Sequence, residues 1–468
     1  MQKVYSNFNK KIGWKICISG PLFQFLENNK GLFPCHLNWD DLLLLTSKIE
    51  YKHSKKGVNF VEIPSDELKY YVRNYAKYFD FLIDIGAIEK KNYSTTLKKC
   101  NAYRFQYELF ETGFDDIHEI EIALKPKFYS VGAKNCEHLT KWFDGRLEID
   151  FYNYFYSTFS IVEQQNSRKQ YETAVLKALN YRMSLIDLDK GYFRASRDIS
   201  SDNRLHTNLT NFPSKLRQFI TYDGWDLVSY DVKNSQPYFL IVFLERFENE
   251  RIRKIFRRIY SSNIGIMSDK IKQFLCCKEF QEEYFRLKDL ILNGKLYEFL
   301  EEILTFKQDF RGRHKVKAYE KETETNCFNF FNSKRDACKK AFMQILYSRN
   351  SKKSKQYKRF EEEFPKFCEL LHLLKSSTKR KDSYKKFPKL LQHIESDCIL
   401  DFITKNIAKE YPNMPMFTIH DSIATIEAYS DVLHKKMKQY FAEYSGGVMP
   451  RLKEEYWGLN YTKIKEAV

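Results

Sequence analysis

Met416-Phe417-Thr418-Ile419-His420-Asp421-Ser422-Ile423-Ala424-Thr425-Ile426-Glu427 is the stretch on which the reading of this chain turns. Apolar residues lead into His420-Asp421 and Ile423, Ala424 and Ile426 lead out, so the segment reads as two buried strands with an ionisable pair at their bend. Tight bends favour Asn-Gly or Asp-Gly, whose backbones tolerate the left-handed region. A carboxylate at the lip of an apolar sheet has the placement of a metal ligand, although an ordinary hairpin with a solvated Asp at its tip carries the same dipeptide.

Working upstream, a second carboxylate stands where chemistry could use it. Asp226 to Val232 forms an apolar strand candidate that runs on through Lys233, Asn234, Ser235 and Gln236 to Pro237. Proline cannot continue a central strand, so Asp231 lies near a strand end. A strand-terminal Asp is more often a cap. Two acidic residues from separate strands, however, could hold a pair of magnesium ions for in-line phosphoryl transfer.

Between them lies NSKRDACKKAFMQILYS, Asn332 to Ser348, which opens with Ser333 and Asp336 at capping-box spacing and contains no Gly or Pro. Arg335, Lys339, Met343 and Tyr347 recur every four residues and form one slowly drifting stripe. The two cations could clasp a triphosphate while Met343 and Tyr347 face its base and sugar. Periodicity alone favours a solvated amphipathic helix.

From Asp198 to the C-terminus these blocks, in this order, resemble the single-subunit nucleic-acid polymerases that unite family A DNA polymerases with phage-type RNA polymerases. RLHTNLTNFPSKLRQFI, from Arg204, looks like the family block whose arginine touches the primer-template. The strand ending at Asp231 is similar to motif A, and Ile419 to Ser422 to motif C. The resemblance therefore implies Asp231 and Asp421 as ligands of two Mg2+ ions, with His420 near the primer end. Arg335, Lys339 and Tyr347 match motif B of the fingers helix, implying that both cations bind incoming phosphates, with Lys339 also catalytic, and that Tyr347 lies beneath the nucleotide sugar. Gln392, in LLQHIESDCIL, is similar to a glutamine that contacts the primer duplex.

Departures from the family pattern bear on the sugar. Gln236, five residues after Asp231, stands where the DNA branch usually has a glutamate that excludes the ribose 2′-hydroxyl and the RNA branch a glycine. Met343 and Ser422 look like the RNA branch, and Ser348 replaces a usual glycine. Gln236 tips the expectation toward a DNA polymerase, with a phage-type RNA polymerase or primase, or a non-catalytic replication initiator on this scaffold, as the alternatives. DNA primer-template and nucleoside triphosphates are the expected partners, with an RNA template or product still compatible.

Composition agrees with a polyanionic partner. The formal charge is +17 and the pI near 9.1, and 39 Phe and 32 Tyr are interleaved with Lys and Arg, a mixture that favours nucleic acid over a membrane surface. The ten cysteines show no zinc spacing and read as reduced thiols. No signal peptide or membrane span is expected, so the expected location is the cytoplasm of a bacterial or phage-infected cell, with a mobile element as the setting.

The N-terminal residues read as helix over Asp40–Ile49 and Asp66–Ile85, then strands at Ala87–Lys90 and Tyr103–Gln106 around a Lys-bearing loop. That order resembles a winged helix, with Tyr70, Arg73, Asn74 and Lys77 on a groove-facing helix. The expected fold class is α+β, a right-hand polymerase with an antiparallel palm sheet and helical fingers and thumb. Its parts would be a winged-helix-like basic module (1–130), a thumb-like region (131–189), palm (190–305 and 388–468) and fingers (306–387). The segment before the thumb is too short to add a proofreading exonuclease, so editing is expected to be absent.

Overall fold

The computed structural model describes residues 11–56, 60–92, 100–106, 116–123 and 133–150, scattered positions between 152 and 191, and then 193–261, 264–320, 325–349, 354–376 and 383–458. Most of the thumb-like region, the loop 93–99 and the side chain of Tyr70 lie outside the described residues.

The N-terminal residues close around their own core. Strand β1 (Lys11–Ile18) pairs antiparallel with β5 (Asp116–Ala123), and helices α1 (Gly20–Asn28), α2 (Trp39–Lys56), α3 (Ser65–Tyr71) and α4 (Tyr75–Asp84) follow β1 in the chain. Strands β2 (Val61–Glu62), β3 (Ile88–Lys91) and β4 (Ala102–Phe105) form a three-stranded sheet in the order β2-β4-β3. Leu42, Leu45, Val61, Leu68, Phe79, Leu82 and Tyr103 are buried together in it. The helix expected over Asp66–Ile85 is two helices, because Val72 turns extended (φ −138°, ψ 115°) and ends the first of them. Arg73, Asn74 and Lys77 are exposed at or just after that break.

The sheet that positions the site is antiparallel throughout. Its centre is β10 (Trp225–Val232), next to β9 (Ile220–Tyr222), which pairs in turn with β6 (Leu147–Ile149); between β6 and β9 in the chain, β7 (Ala195–Arg197) and β8 (Leu205–Thr207) form a separate antiparallel pair. β14 (Ser422–Ile426) pairs with Leu227–Asp231 on one edge of β10, and β15 (Leu452–Tyr456) with Val228–Val232 on the other. β13 (Phe417–Ile419) forms the hairpin with β14.

After β10 the chain turns through Asn234, in the left-handed conformation at φ 56°, straight into helix α5 (Ser235–Glu245). Pro237 sits in the first turn, where its missing N–H costs nothing. Every residue from Pro237 to Leu244 is buried, so α5 is apolar on all sides and runs through the centre of the largest core. Helix α6 (Leu296–Ile303) and helix α7 (Lys334–Tyr347) pack in that same core, as does α8 (Lys386–Ser396), which continues as a π-helical stretch over Asp397–Ile403.

One element departs from the expected helical fingers. Residues 306–387 open with a two-stranded antiparallel ribbon, β11 (His314–Glu320) and β12 (Thr325–Phe331), which leads directly into α7. Its alternation of apolar and polar residues (His-Lys-Val-Lys, Phe-Asn-Phe-Phe) has the period of a strand.

Candidate active site

Asp231 is the penultimate residue of β10 and pairs with Ser422 across the β14 edge. Asp421 is the residue before Ser422, so the sheet register alone brings the two carboxylates to neighbouring positions at one end of the sheet. His420 makes the bend possible by adopting φ 56°, at a cost of about 1–2 kcal/mol for a residue with a side chain. The geometry of the turn thus accommodates His-Asp where Asn-Gly would be the easy choice.

Electrostatics match that placement. Burial, together with the charges of Asp421 and Glu455, pushes the Asp231 carboxyl up to about 7, against the opposing pull of Lys453 and Arg217. Burial raises Asp421 as well, although its own backbone amide, Ser235 and Arg204 oppose the shift. Two acids that resist ionising beside each other form a site short of positive charge. His420 supplies none: burial and the charges of Arg204 and His206 push it down to about 4, and its Nδ1 is buried without a partner.

Behind the pair stands a residue that the sequence reading passed over. Glu395, on α8 and 1% exposed, accepts from Arg204 Nε at 2.7 Å and forms an ion pair with Arg204 Nη2 at 2.6 Å. Its second oxygen accepts from Ser235 Oγ at 2.7 Å and Gln236 Nε2 at 2.5 Å. Gln236 Oε1 in turn accepts the Tyr347 hydroxyl at 2.5 Å. Arg204, Glu395, Gln236 and Tyr347 therefore form one hydrogen-bonded chain from the residue before β8 through α8 and α5 to the end of α7. The first turn of α5 faces two carboxylates, Asp421 and Glu395, which the positive end of a helix favours.

The remaining expected residues are less tightly gathered. On α7, Lys339 and Arg335 lie about 12 and 18 Å along the axis from Tyr347, at 1.5 Å per residue. Lys339 pairs with Asp336 at 2.9 Å and Arg335 with Glu298 of α6 at 2.7 Å, both half-exposed. Met343 is half-buried on the same stripe. Gln392 lies one turn before Glu395, half-buried, and Arg204, expected to face the primer-template, is held by Glu395.

Among the described residues no group of three or more His, Cys, Asp or Glu side chains is arranged to hold a metal ion. The donor set does suit Mg2+, which keeps waters and takes one or two carboxylates together with substrate phosphates. The raised Asp231 and Asp421 carboxyls are the groups that a divalent cation would relieve.

No family model and no curated protein sequence matches the chain. Among solved structures, the POL domain of Pol1 from M. smegmatis, in complex with DNA primer-template and dNTP, is similar at a TM-score of 0.35 and 11% identity over 69% of each chain. A likeness that distant leaves the function to be argued from the chain's own residues.

Proposed function

We propose that this chain is a template-directed nucleotidyltransferase that extends a nucleic-acid 3′ end, with Asp231 and Asp421 as the ligands of two Mg2+ ions. The observation that carries the reading is the register that sets Asp231 beside the Asp421 turn, with the Gln236–Tyr347 contact tying that end of the sheet to the helix bearing Arg335 and Lys339. Bound metal supplies activation of the attacking oxygen and charge for the leaving phosphate. The chain's own residues do the positioning: Lys339 and Arg335 exchange their local carboxylates for phosphate oxygens, and Gln236 and Tyr347 border the sugar. Gln236 supports deoxynucleotides over ribonucleotides.

The N-terminal order helix, strand, two helices and hairpin, with its sheet arranged β2-β4-β3, supports a winged-helix-like module whose exposed Arg73, Asn74 and Lys77 meet duplex DNA. Extension of a labelled primer on DNA and on RNA templates, with deoxynucleotides and ribonucleotides supplied separately, tests the reading. Magnesium-dependent extension is the expected result. Duplex binding without any extension would replace it with the non-catalytic initiator.

A further inference from the structure

The ribbon β11–β12 has two unlike faces. Val316 is 2% exposed on the inner face, and Gln344 of α7 donates to the Lys317 carbonyl at 2.7 Å, so the ribbon lies along the helix that carries Arg335 and Tyr347. On the outer face the register sets Lys315 opposite Phe330 and Lys317 opposite Phe328. Phenylalanines belong inside, yet Phe328 is 53% and Phe330 44% exposed, and Phe310, just before the ribbon, is 90% exposed. Among the described residues only one other phenylalanine, Phe285, is as open to solvent.

Cations interleave with these rings. The Arg313 guanidinium lies 4.8 Å from the Phe330 ring centre and the Lys315 ammonium 5.9 Å, while Arg311 lies 5.2 Å from Phe310. Arg313 is fixed in place by a paired contact with Asp309 at 2.8 and 2.9 Å, which offsets part of its charge. Beyond Ala318 the sequence reads Glu320-Lys321-Glu322-Thr323-Glu324, whereas the basic and aromatic residues described on the ribbon lie beside α7.

We infer that the outer face of this ribbon is a stacking platform for single-stranded nucleic acid, with bases on Phe328 and Phe330 and phosphates on Arg313, Lys315 and Lys317. Charge complementarity selects a polyanion, and exposed rings select one whose bases are free to stack. Alternate residues of a strand stand about 7 Å apart. That spacing gives each ring its own base in an extended strand and does not match the ~3.4 Å rise of a stacked duplex. A protein partner would find no continuous apolar patch here, because every ring is flanked by a cation. The platform adds to the proposed polymerase a place for the unpaired strand, but the inference stands on the ribbon alone.

The test uses the full chain without nucleotides, so its outcome is independent of catalysis. Binding of fluorescent oligothymidylate and of a blunt DNA duplex is compared for the wild type and for a variant with both Phe328→Ala and Phe330→Ala. Removal of both rings should weaken oligothymidylate binding about tenfold or more and leave duplex binding unchanged. Tryptophan at both positions should restore it. Lys315→Gln with Lys317→Gln should make the dependence of log affinity on log salt shallower by about 1.4 for the single strand, from ~0.7 per phosphate contact. Photocrosslinking of an iodouracil-bearing strand should map to residues 325–331. Unchanged oligothymidylate affinity in the aromatic variant, equal losses on both probes, or crosslinks only elsewhere would each overturn the platform.

Discussion

Tyr347, the last residue of its helix, donates its hydroxyl to Gln236 Oε1 at 2.5 Å, while the same amide donates its nitrogen to Glu395 at 2.5 Å. Both ends of the Gln236 side chain are thus committed to protein partners, and on the proposed reading a ribose 2′-hydroxyl beside it would lack a free partner. A buried polar mismatch of this kind is worth about 1–3 kcal/mol, or one to two powers of ten in rate. Gln236→Gly should raise ribonucleotide use by about that factor and keep deoxynucleotide use, read as the ratio of kcat/KM values for the two sugars. A wild type that already prefers ribonucleotides would remove Gln236 from this role.

Asp231→Asn or Asp421→Asn should lower magnesium-dependent nucleotide addition by about a thousandfold or more while leaving folding and DNA binding intact. Retained activity in either variant would defeat the metal-ligand assignment.

The same substitution should stabilise the metal-free protein at neutral pH. With the Asp231 carboxyl held up at about 7 against the usual 3.8, the group is ionised in the unfolded chain between about pH 4 and 7 while the native state keeps its proton. Stability from this group is therefore full below pH 4 and falls as pH rises toward 7. Asp231→Asn should recover about 1–3 kcal/mol at pH 7.5 and nothing at pH 4, after discounting for partial exposure and for the shared charge with Asp421. Thermal melts with and without Mg2+ check it: added Mg2+ should raise the wild-type Tm and leave the variant's unmoved.

Glu395 and Arg204 should behave as one unit. Glu395→Ala strands the Arg204 guanidinium and should cost about 3–5 kcal/mol, whereas Glu395→Ala with Arg204→Ala should cost less than the single change. Urea denaturation of the two singles and the double measures the coupling, and strictly additive losses would show that the pair is not linked.

Deletion of residues 1–130 should weaken duplex binding and its salt dependence more than it weakens extension of a preformed primer-template. Binding unchanged across salt concentrations would count against a DNA-contacting hairpin in that module.

Much of the site was legible because its elements carry strong local signals. The apolar run into His420-Asp421 and the cap Ser333, whose Oγ accepts from the Asp336 amide at 3.1 Å, each fix an element end within a residue or two, whereas the strand carrying Asp231 ends at Val232 and Pro237 falls in the first turn of the helix that follows. Glu395 is hard to read from sequence because an acidic residue in an amphipathic helix ordinarily faces water. Its signal was there: Glu395 falls on the stripe of Leu391, Ile394 and Cys398, all buried. A carboxylate on the apolar face of a helix needs buried partners, and these come from β8 and α5, some 160 to 190 residues away. No local pattern names such partners. The ribbon differs from the expected helical fingers because its two strands are short and interrupted by the charged stretch 320–324.

The pairing of β10 has a consequence for how the chain comes to be folded. Between Leu227 and Val232 both edges of this strand are closed by segments from the far C-terminus, Ser422–Ile426 and Leu452–Tyr456. During synthesis the strand carrying Asp231 therefore lacks both of these partners until residues 422–456 have been made. Contacts of such long sequence separation form slowly, and an open apolar strand edge is where chains stick to one another. Loss of β15 would leave one side of β10 uncovered, so a chain cut short near residue 450 is expected to be lost to aggregation.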